Sequence, residues 1–501
     1  MNFACLTFVC FSLLTLSTNA AVSSDEVKSL PGWDSALPSR IWSGHVSAGS
    51  DIQNGKNYSF LHWYMFVESE LPNAADAPVL LFSNGGPGAS SAFGLFTEFG
   101  PLQLSIESLD SDPPKLFYNP YAWTQLANIL IINGPPPVGF SYCNPAGPTG
   151  DGYSCGSWND TRTAVQNVEF INNWYSLFPE YKKNPLYIVG ESYAGVYTGQ
   201  IVSMLLEQGS TLNIKGLGLG DACMGTDVLC GSGGPKGPYH DLLFSFGQGC
   251  ISYDTFDSII TQCPLQTLKF GPMSSAPASC KAAVAKASSD CPSGSFFAYN
   301  YLDQCPPSAF SKEKKVNVLG DPAPPIEPGG YPCGGDQALS NYMSRDDVKI
   351  ALNVDPSSTF NSFDNGEGFV YNLTWQSNFP LLRRLQTGQD GISVLAYNGE
   401  TDPSISSIKT QNWTVSLNFP LIEAWRPWTY PAEINGGIVA GIVRQWQGLT
   451  HATVRGSGHM VPTYKPYSAF LMIKNWISGN NWPALTSVDD DEEEKQPIYR
   501  V

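Results

Sequence analysis

The stretch that decides the fold reads Pro185-Leu-Tyr-Ile-Val-Gly-Glu-Ser-Tyr-Ala-Gly-Val-Tyr197. Its apolar, β-branched run at 186–189 predicts a buried strand, and the apolar spacing that follows predicts a helix. Ser192 therefore stands on a sharp strand-to-helix turn between small residues, as in a nucleophile elbow. The helix N-terminus behind such a serine favours developing negative charge. A Gly-x-Ser triplet also occurs in ordinary turns, so catalytic partners have to be found elsewhere in the chain.

Strands and helices alternate on both sides of this stretch. The predicted strands cover 58–67, 79–82, 127–132, 186–189, 214–219, 392–397 and 450–454. The predicted helices cover 160–178, 344–354 and 467–477, with Asp160 and Ser344 as N-caps. Between about 221 and 340 the sequence is rich in Cys, Gly, Pro and Ser and shows little periodicity. We therefore predict an α/β fold with a doubly wound mixed sheet, formed by 21–220 and 341–480, and a cap insertion at 221–340.

The two ends of the chain differ from the rest. Residues 1–20 form a predicted secretory signal peptide: an apolar run is followed by Ser-Thr-Asn-Ala, which favours cleavage after Ala20. That run is shorter than the ~20 apolar residues of a membrane span, so we expect no membrane segment after its removal. The tail, 481–501, contains six consecutive carboxylates at 489–494 and is predicted to be disordered.

Cysteine usage agrees with export. Ten cysteines follow the signal, and an even number in an exported chain implies disulfides. Eight of the ten lie between 223 and 333, which marks the insertion as disulfide-rich. The cysteine pairs do not have C-x-x-C spacing and the histidines lie elsewhere, so we expect no zinc site and no cofactor.

Charge and glycosylation motifs complete this picture. The net charge of −17 argues against nucleic-acid binding, which needs a basic face. Asn-x-Ser/Thr motifs predict N-glycosylation at Asn57, Asn159, Asn372 and Asn412. The chain is therefore predicted to enter the secretory pathway, with a vacuolar, lysosomal or extracellular destination left open.

A serine nucleophile needs a general base, and the histidines differ in their suitability. His459 lies in a Gly-rich loop, 455–462, directly after a predicted strand, where functional side chains concentrate. His62 and His451 lie inside predicted strands, where we expect buried core imidazoles. His459 is therefore the predicted base.

The acid that orients the base should lie between the serine and the histidine. The loop Tyr397-Asn-Gly-Glu-Thr-Asp-Pro403 supplies both Glu400 and Asp402. The order Ser192, Asp402, His459 is the nucleophile, acid and base order of the α/β-hydrolases. This order predicts the α/β-hydrolase fold.

The loop Asn84-Gly-Gly-Pro-Gly88 follows an early strand, where that fold keeps its oxyanion donors. We predict the backbone N–H groups of Gly86 and Tyr193 as these donors. A rival elbow at 88–92 contains two serines, but it comes too early in the chain and would leave the Ser192 stretch unexplained.

At these residues the chain closely resembles the serine carboxypeptidases, from about residue 30 to 478. The matching stretches are Asn84-Gly-Gly-Pro-Gly88, Gly94-Leu-Phe-Thr-Glu-Phe-Gly-Pro101, Gly139-Phe-Ser-Tyr142, Gly190-Glu-Ser-Tyr-Ala-Gly195, Tyr397-Asn-Gly-Glu-Thr-Asp402 and Gly458-His-Met-Val-Pro462. The resemblance implies hydrolysis of the C-terminal bond of peptides and proteins at acidic pH. It leaves homodimerisation open.

The resemblance also implies residue roles. Ser192 would attack, His459 would carry the proton, and Asp402 rather than Glu400 would steady the imidazole. Asn84, Glu191 and Glu98 would bind the substrate carboxylate. A protonated carboxyl can donate a hydrogen bond to that carboxylate, and neighbouring carboxyls tend to share a proton. We therefore expect peptide affinity to fall as pH rises.

Two rival functions remain open at this level. An acyltransferase or esterase on the same scaffold would pass the acyl group to another acceptor, although such relatives often carry Gly-Asp-Ser where this chain has Gly-Glu-Ser192. A non-catalytic protective or binding protein would not need the catalytic residues. Their presence together therefore favours the peptidase.

Overall fold

A computed structural model describes residues 23–226, 237–292, 294–303, 334–362, 369–431, 437–479 and 481–485. The predicted signal peptide lies outside the described residues, as do the six carboxylates of the tail. Among the described residues, no helix has the length and apolar character needed to cross a membrane.

The strands of the described residues are, in chain order, β1 (Glu26–Val27), β2 (Ile41–Gln53), β3 (Lys56–Val67), β4 (Val79–Ser83), β5 (Leu102–Gln103), β6 (Phe117–Tyr118), β7 (Asn128–Ile132), β8 (Tyr142–Asn144), β9 (Trp158–Asn159), β10 (Leu186–Glu191), β11 (Ile214–Gly220), β12 (Tyr371–Asn372), β13 (Ser393–Gly399), β14 (Leu421–Thr429), β15 (Val439–Trp446) and β16 (Leu449–Val454). All seven predicted strands are confirmed.

The α-helices of the described residues are α1 (Ala92–Thr97), α2 (Asp160–Leu177), α3 (Ala194–Glu207), α4 (Tyr239–Gly247), α5 (Tyr253–Gln262), α6 (Leu265–Phe270), α7 (Ala278–Asp290), α8 (Gly335–Met343), α9 (Asp346–Ala351), α10 (Phe379–Gln386), α11 (Ser407–Ser416), α12 (Val461–Tyr464) and α13 (Pro466–Ile477).

One mixed sheet of twelve described strands forms the centre of the molecule, in the order β1-β2-β3-β7-β4-β10-β11-β13-β16-β15-β14, with β8 paired to β3. Its central strands, from β7 to β16, run parallel. The strands on both flanks pair antiparallel. Because the carboxyl ends of parallel strands meet at one edge, the loops after β4, β10, β11, β13 and β16 converge there.

Side chains of the central strands alternate between two cores. Along β4, Leu80 and Phe82 belong to one apolar cluster, whereas Val79 and Leu81 belong to the other. Helices α2, α3, α10 and α11 pack on the second face, and α1, α8 and α13 pack on the first. Burial on both faces explains why these strands read as continuous apolar runs. The predicted doubly wound mixed sheet is confirmed.

The segment between β11 and β13 is more regular than its sequence suggested. Helices α4 to α7 lie in it and enclose a small apolar core of their own. Disulfides Cys250–Cys291 and Cys263–Cys280 link these helices. The little periodicity of this segment reflects short helices, of 9, 10, 6 and 13 residues, rather than a lack of helices. Cys143–Cys155 is a further disulfide, and Cys223 is also disulfide-bonded.

Two predicted helix caps were wrong. The N-cap of α2 is Asn159, whose Oδ1 accepts a hydrogen bond from Arg162 N at 2.9 Å. The predicted helix 344–354 is the shorter α9, whose N-cap is Arg345, and Ser344 is instead the C-cap of α8. Because Asp160 does not cap the helix, its carboxylate accepts hydrogen bonds from residues near Ser192 instead, as described below.

Candidate active site

Ser192 occupies the predicted turn between β10 and α3. Its φ of +59° lies in the left-handed region, which is strained for a residue with a side chain. Its N–H donates to Gly220 O and its carbonyl accepts from Cys223 N, both at 2.9 Å. These bonds to the end of β11 hold the turn in its strained conformation.

Asp402 and His459 are brought together by the loops after β13 and β16. His459 Nδ1 lies 2.7 Å from Asp402 Oδ2, and both side chains are buried. Asp402 also accepts hydrogen bonds from Ser404 N at 2.7 Å and Ile405 N at 3.2 Å. The loops are joined by a hydrogen bond from Thr401 N to a carbonyl of the His459 loop at 2.8 Å. Asp402 can therefore orient the imidazole.

Glu400, the alternative acid, points elsewhere. Its Oε1 accepts a hydrogen bond from Thr453 Oγ1 at 2.9 Å. The other strand histidines are buried, as expected: burial lowers the pKa of both His62 and His451 to about 3. Neither of these imidazoles lines the cavity that contains Ser192, whereas His459 does.

Ser192 and His459 line one cavity of about 90 Å³. Among the described residues no hydrogen bond joins Ser192 to His459. In free enzymes catalytic hydrogen bonds are often long, and they tighten when substrate binds. Tyr299 contacts His459 in two ways. The backbone N–H of His459 donates to Tyr299 O at 2.7 Å, and the centroids of the Tyr299 ring and the imidazole lie 5.1 Å apart. Sequence reasoning missed Tyr299 because it lies far from any motif.

The remaining walls of the cavity are the described residues Asn84, Gly85, Gly86, Ala89, Phe93, Glu191, Phe297, Asp336 and Met460. Asp336, at the start of α8, also escaped sequence reasoning, because it lies outside the matching stretches. Burial raises the pKa of its carboxyl.

The predicted oxyanion loop packs directly on the elbow. A Cβ added to Gly85 would lie 2.2 Å from the backbone nitrogen of Tyr193, and Gly86 has a φ of +107°. Only glycine permits this approach and this conformation. The rival elbow is excluded as the nucleophile, because Ser90 and Ser91 are fully buried and their hydroxyls donate to Asn133 Oδ1 and Ile132 O.

Three predicted carboxylate-binding side chains form one buried cluster. Asn84 Nδ2 donates to Glu98 Oε1 and to Glu191 Oε1, both at 3.1 Å. Burial raises the pKa of Glu98 to about 7. Burial and the neighbouring Glu98 raise the pKa of Glu191 well above its usual value. Because one amide bridges the two buried carboxyls, they would repel each other if both were ionised, so the pair holds a proton at acidic pH.

Asp160 fixes the side chain of Tyr193 from behind. This buried carboxylate accepts hydrogen bonds from Tyr193 Oη at 2.6 Å, from Tyr371 Oη at 2.9 Å and from Trp375 N at 2.7 Å. Because the ring of Tyr193 is held in this way, its backbone N–H next to Ser192 is held too. An acid at a helix start reads as a cap, which is why the sequence did not identify this role.

Asp221, the first residue after β11, was also missed. One of its carboxylate oxygens lies within 4.8 Å of a carboxylate oxygen of Asp402 and of a ring nitrogen of His459, a spacing that could also hold a metal ion. We assign this contact to hydrogen bonding, because the Asp402 and His459 atoms already bond each other.

A strained serine on a strand-to-helix turn and an acid–histidine pair at the carboxyl edge of a mixed sheet define the class of α/β-hydrolases. The structure is similar to that of Kex1(delta)p, a prohormone-processing carboxypeptidase from Saccharomyces cerevisiae. The TM-score is 0.64 at 18% identity, with 89% of this chain and 94% of the other covered. The predicted α/β-hydrolase fold is confirmed.

The sequence pattern of the family described as serine carboxypeptidase matches residues 31–479, and the chain belongs to that family. It is 29% identical to serine carboxypeptidase 1 of Hordeum vulgare, over 92% of this chain and 94% of the relative. It is 29% identical to the lysosomal protective protein of Mus musculus, with the same coverage. Serine carboxypeptidase-like 27 of Arabidopsis thaliana is 30% identical, over 94% and 97%. The predicted resemblance is confirmed.

Proposed function

We propose that the chain is a serine carboxypeptidase that hydrolyses the C-terminal peptide bond of peptides and proteins at acidic pH. The observation that carries this proposal is the cluster of Asn84, Glu98 and Glu191 in the wall behind Ser192. A carboxyl pair that holds a proton, positioned by the Asn84 amide, can donate a hydrogen bond to a substrate's terminal carboxylate. An internal peptide bond offers no such group.

In the proposed reaction Ser192 Oγ attacks the scissile carbonyl carbon, and its proton passes to Nε2 of His459. Asp402, 2.7 Å from Nδ1, orients the ring and stabilises the imidazolium. The backbone N–H groups of Gly86 and Tyr193 donate to the oxyanion. His459 then gives the proton to the departing amine, which leaves as a free amino acid. Water then attacks the acyl carbon and gives a proton to His459. The bond from that carbon to Ser192 Oγ breaks, Oγ takes the proton back from His459, and the shortened peptide leaves.

The acidic optimum follows from the carboxyl pair. Below pH 7 Glu98 and Glu191 hold a proton and attract a terminal carboxylate. Above it the pair gains negative charge and repels the same group, because the pKa of Glu98 is about 7. The affinity for peptides is therefore expected to fall as the pH rises.

Digestion of a peptide ladder, followed by mass spectrometry at pH 5 and pH 7.5, tests the proposal. The wild type should remove C-terminal residues stepwise, faster at pH 5, and Ser192→Ala should leave the peptides intact. The same peptides with an amidated C-terminus are the matched substrate control and should be cleaved far more slowly. Internal cleavage, or activity retained in Ser192→Ala, would contradict the proposal.

The rival functions give other results. Intact peptides, together with transfer of the acyl group of an activated ester to an added alcohol, would identify an acyltransferase. A function that survives Ser192→Ala would identify a protective or binding protein.

We also propose that the chain enters the secretory pathway, with a vacuolar, lysosomal or extracellular destination, and that 221–340 forms a cap over the catalytic domain. Asn57, Asn372 and Asn412 are exposed to a glycosylating enzyme, and Asn159 is partly exposed. The N-terminus of the exported protein should start at Ala21, and glycosidase treatment should lower its mass. An intact N-terminus without glycans would contradict this route.

A further inference from the structure

A second buried carboxyl stands next to the acid of the proposed triad. Asp221 is fully buried at the end of β11, and its φ of +40° lies in the left-handed region. Its N–H donates to Tyr397 O at 2.8 Å, which ties it to β13. A strained residue with a buried acid group is kept only where the surrounding structure holds it firmly.

Hydrogen bonds fix the orientation of this carboxyl. Its Oδ1 accepts from Asn398 Nδ2 at 3.0 Å and from Gly399 N at 3.2 Å. The amide of Asn398 is itself oriented, because its Nδ2 also donates to Ile405 O at 3.0 Å and its Oδ1 pairs with His451 Nε2 at 3.1 Å. Asn398 therefore presents an N–H group to Asp221 Oδ1. Asp221 Oδ2 accepts only a longer hydrogen bond from Gly399 N, at 3.3 Å, and can still donate a carboxyl hydrogen to another partner.

That partner is Asp402: one of its carboxylate oxygens lies within 4.8 Å of a carboxylate oxygen of Asp221, and both residues are fully buried. Two ionised carboxylates this close in a buried site would repel each other, which favours a proton on one of them. Asp402 already accepts from Ser404 N, Ile405 N and His459 Nδ1, which stabilise its charged form. Burial and the charge of Asp402 raise the pKa of Asp221 well above its usual value. Both observations place the proton on Asp221.

We propose that Asp221 is a positioning residue that stays protonated and donates its carboxyl hydrogen to Asp402, so that Asp402 remains ionised and aligned with His459 at acidic pH. This inference rests on the proposed function, because it assigns the proton in that same triad. It adds a fourth donor to the charge of Asp402 and explains how a buried acid can face a triad without repelling it.

The ionisable groups around Asp221 come from three neighbouring strands and the loops after them. Asp402 and Tyr397 face it from β13 and its loop, His459 from the loop after β16, and Glu191 from β10. Among the described residues no lysine or arginine forms an ion pair with Asp221. A neutral Asp221 is the state that this acidic neighbourhood favours.

The test measures covalent labelling of Ser192 by diisopropyl fluorophosphate as a function of pH. The Oγ–phosphorus bond forms, the phosphorus–fluorine bond breaks, and the serine proton leaves through His459, so the acid limb reports deprotonation of the imidazole. No terminal carboxylate is involved, which separates this readout from Glu98 and Glu191. The variants are Asp221→Asn, which keeps a donor, and Asp221→Leu, which does not.

Asp221→Asn should keep the midpoint of the acid limb. Asp221→Leu should move it up by about one pH unit, because a carboxylate that loses a donor binds the imidazolium more strongly. Glu68→Gln, a buried acid at the opposite edge of the sheet, is the matched control and should leave the profile unchanged. A downward shift in Asp221→Asn would mean that Asp221 is ionised and would overturn the inference, even if Asp221→Leu does not fold. An unshifted profile in a folded Asp221→Leu would overturn it too.

The two proposals fail in different ways. If Ser192 is labelled with these profiles while peptides stay intact, the role of Asp221 stands and the peptidase assignment falls. If peptides are trimmed but the profiles do not follow this pattern, the reverse holds.

Discussion

Glu98 and Glu191 illustrate what burial does to single residues. Both are carboxyls that would be ionised on a surface, and both are buried beside Asn84, with Glu191 in the wall of the cavity. The sequence assigned them only through a family resemblance, since an isolated glutamate reads as a surface acid. Their proton-holding state depends on the distance between them, which no local pattern specifies.

The first prediction concerns this pair. The KM of the wild type for a peptide should rise about tenfold between pH 6 and pH 8, because the protonated fraction of a group with a pKa of about 7 falls about tenfold over that range. In the double variant Glu98→Gln/Glu191→Gln, steady-state kinetics should show a much weaker dependence, because neither glutamine ionises. An unchanged dependence in the double variant would remove the proposed role of the pair.

At the scale of elements, the site depends on a loop pressed against a turn. The loop after β4 meets the elbow between β10 and α3, and Gly85 is the point of closest approach. The Gly-rich sequence predicted the function of this loop. Only the structure reveals its contact with the Tyr193 amide, because the two segments lie about a hundred residues apart in the chain.

The second prediction tests that contact. Gly85→Ala should lower kcat by about 10²-fold or more, because its Cβ would displace the loop from Tyr193 N and disturb the oxyanion donors. Gly247→Ala, at a helical glycine with no neighbour near its added Cβ, is the matched control and should keep full activity. Thermal melts of both variants would separate lost activity from lost fold. Normal kcat in Gly85→Ala would contradict the proposed oxyanion loop.

At the scale of the whole molecule, the acidic cluster links activity to stability. The folded-state pKa of Glu98 is about 7, above the ordinary value of 4.5. Between those two pH values the folded state therefore binds more protons than the unfolded state. The stabilisation is complete below about pH 4.5 and is lost as pH rises through about 7. This shift corresponds to roughly 3 kcal/mol.

The corresponding measurement is the guanidinium unfolding midpoint at pH 5 and pH 8. The midpoint of the wild type should fall with rising pH, and Glu98→Gln should show a smaller fall, because its amide has no proton to lose. Glu68→Gln provides the control for removal of a buried carboxyl elsewhere. Parallel losses in Glu98→Gln and wild type would show that other groups govern the pH dependence.

The sequence by itself determined the fold class, seven strands of the central sheet and the order of Ser192, Asp402 and His459. Local patterns suffice there, because buried parallel strands need continuous apolar runs and a nucleophile turn needs small residues. Helices α4 to α7 escaped it, since three of the four are shorter than the window of about 11 residues over which a helical period can be recognised.

The tertiary structure pairs Asp402 and not Glu400 with His459, as the family resemblance implied. Only the tertiary structure excluded the rival elbow and brought Asp160, Asp221 and Tyr299 to the site. Each of these outcomes depends on which side chains meet across distant loops. The protonation of a buried acid likewise depends on its enclosure and on the charge beside it. Those are properties of three-dimensional proximity, and the chain acquires them only when the sheet brings its carboxyl ends to one edge.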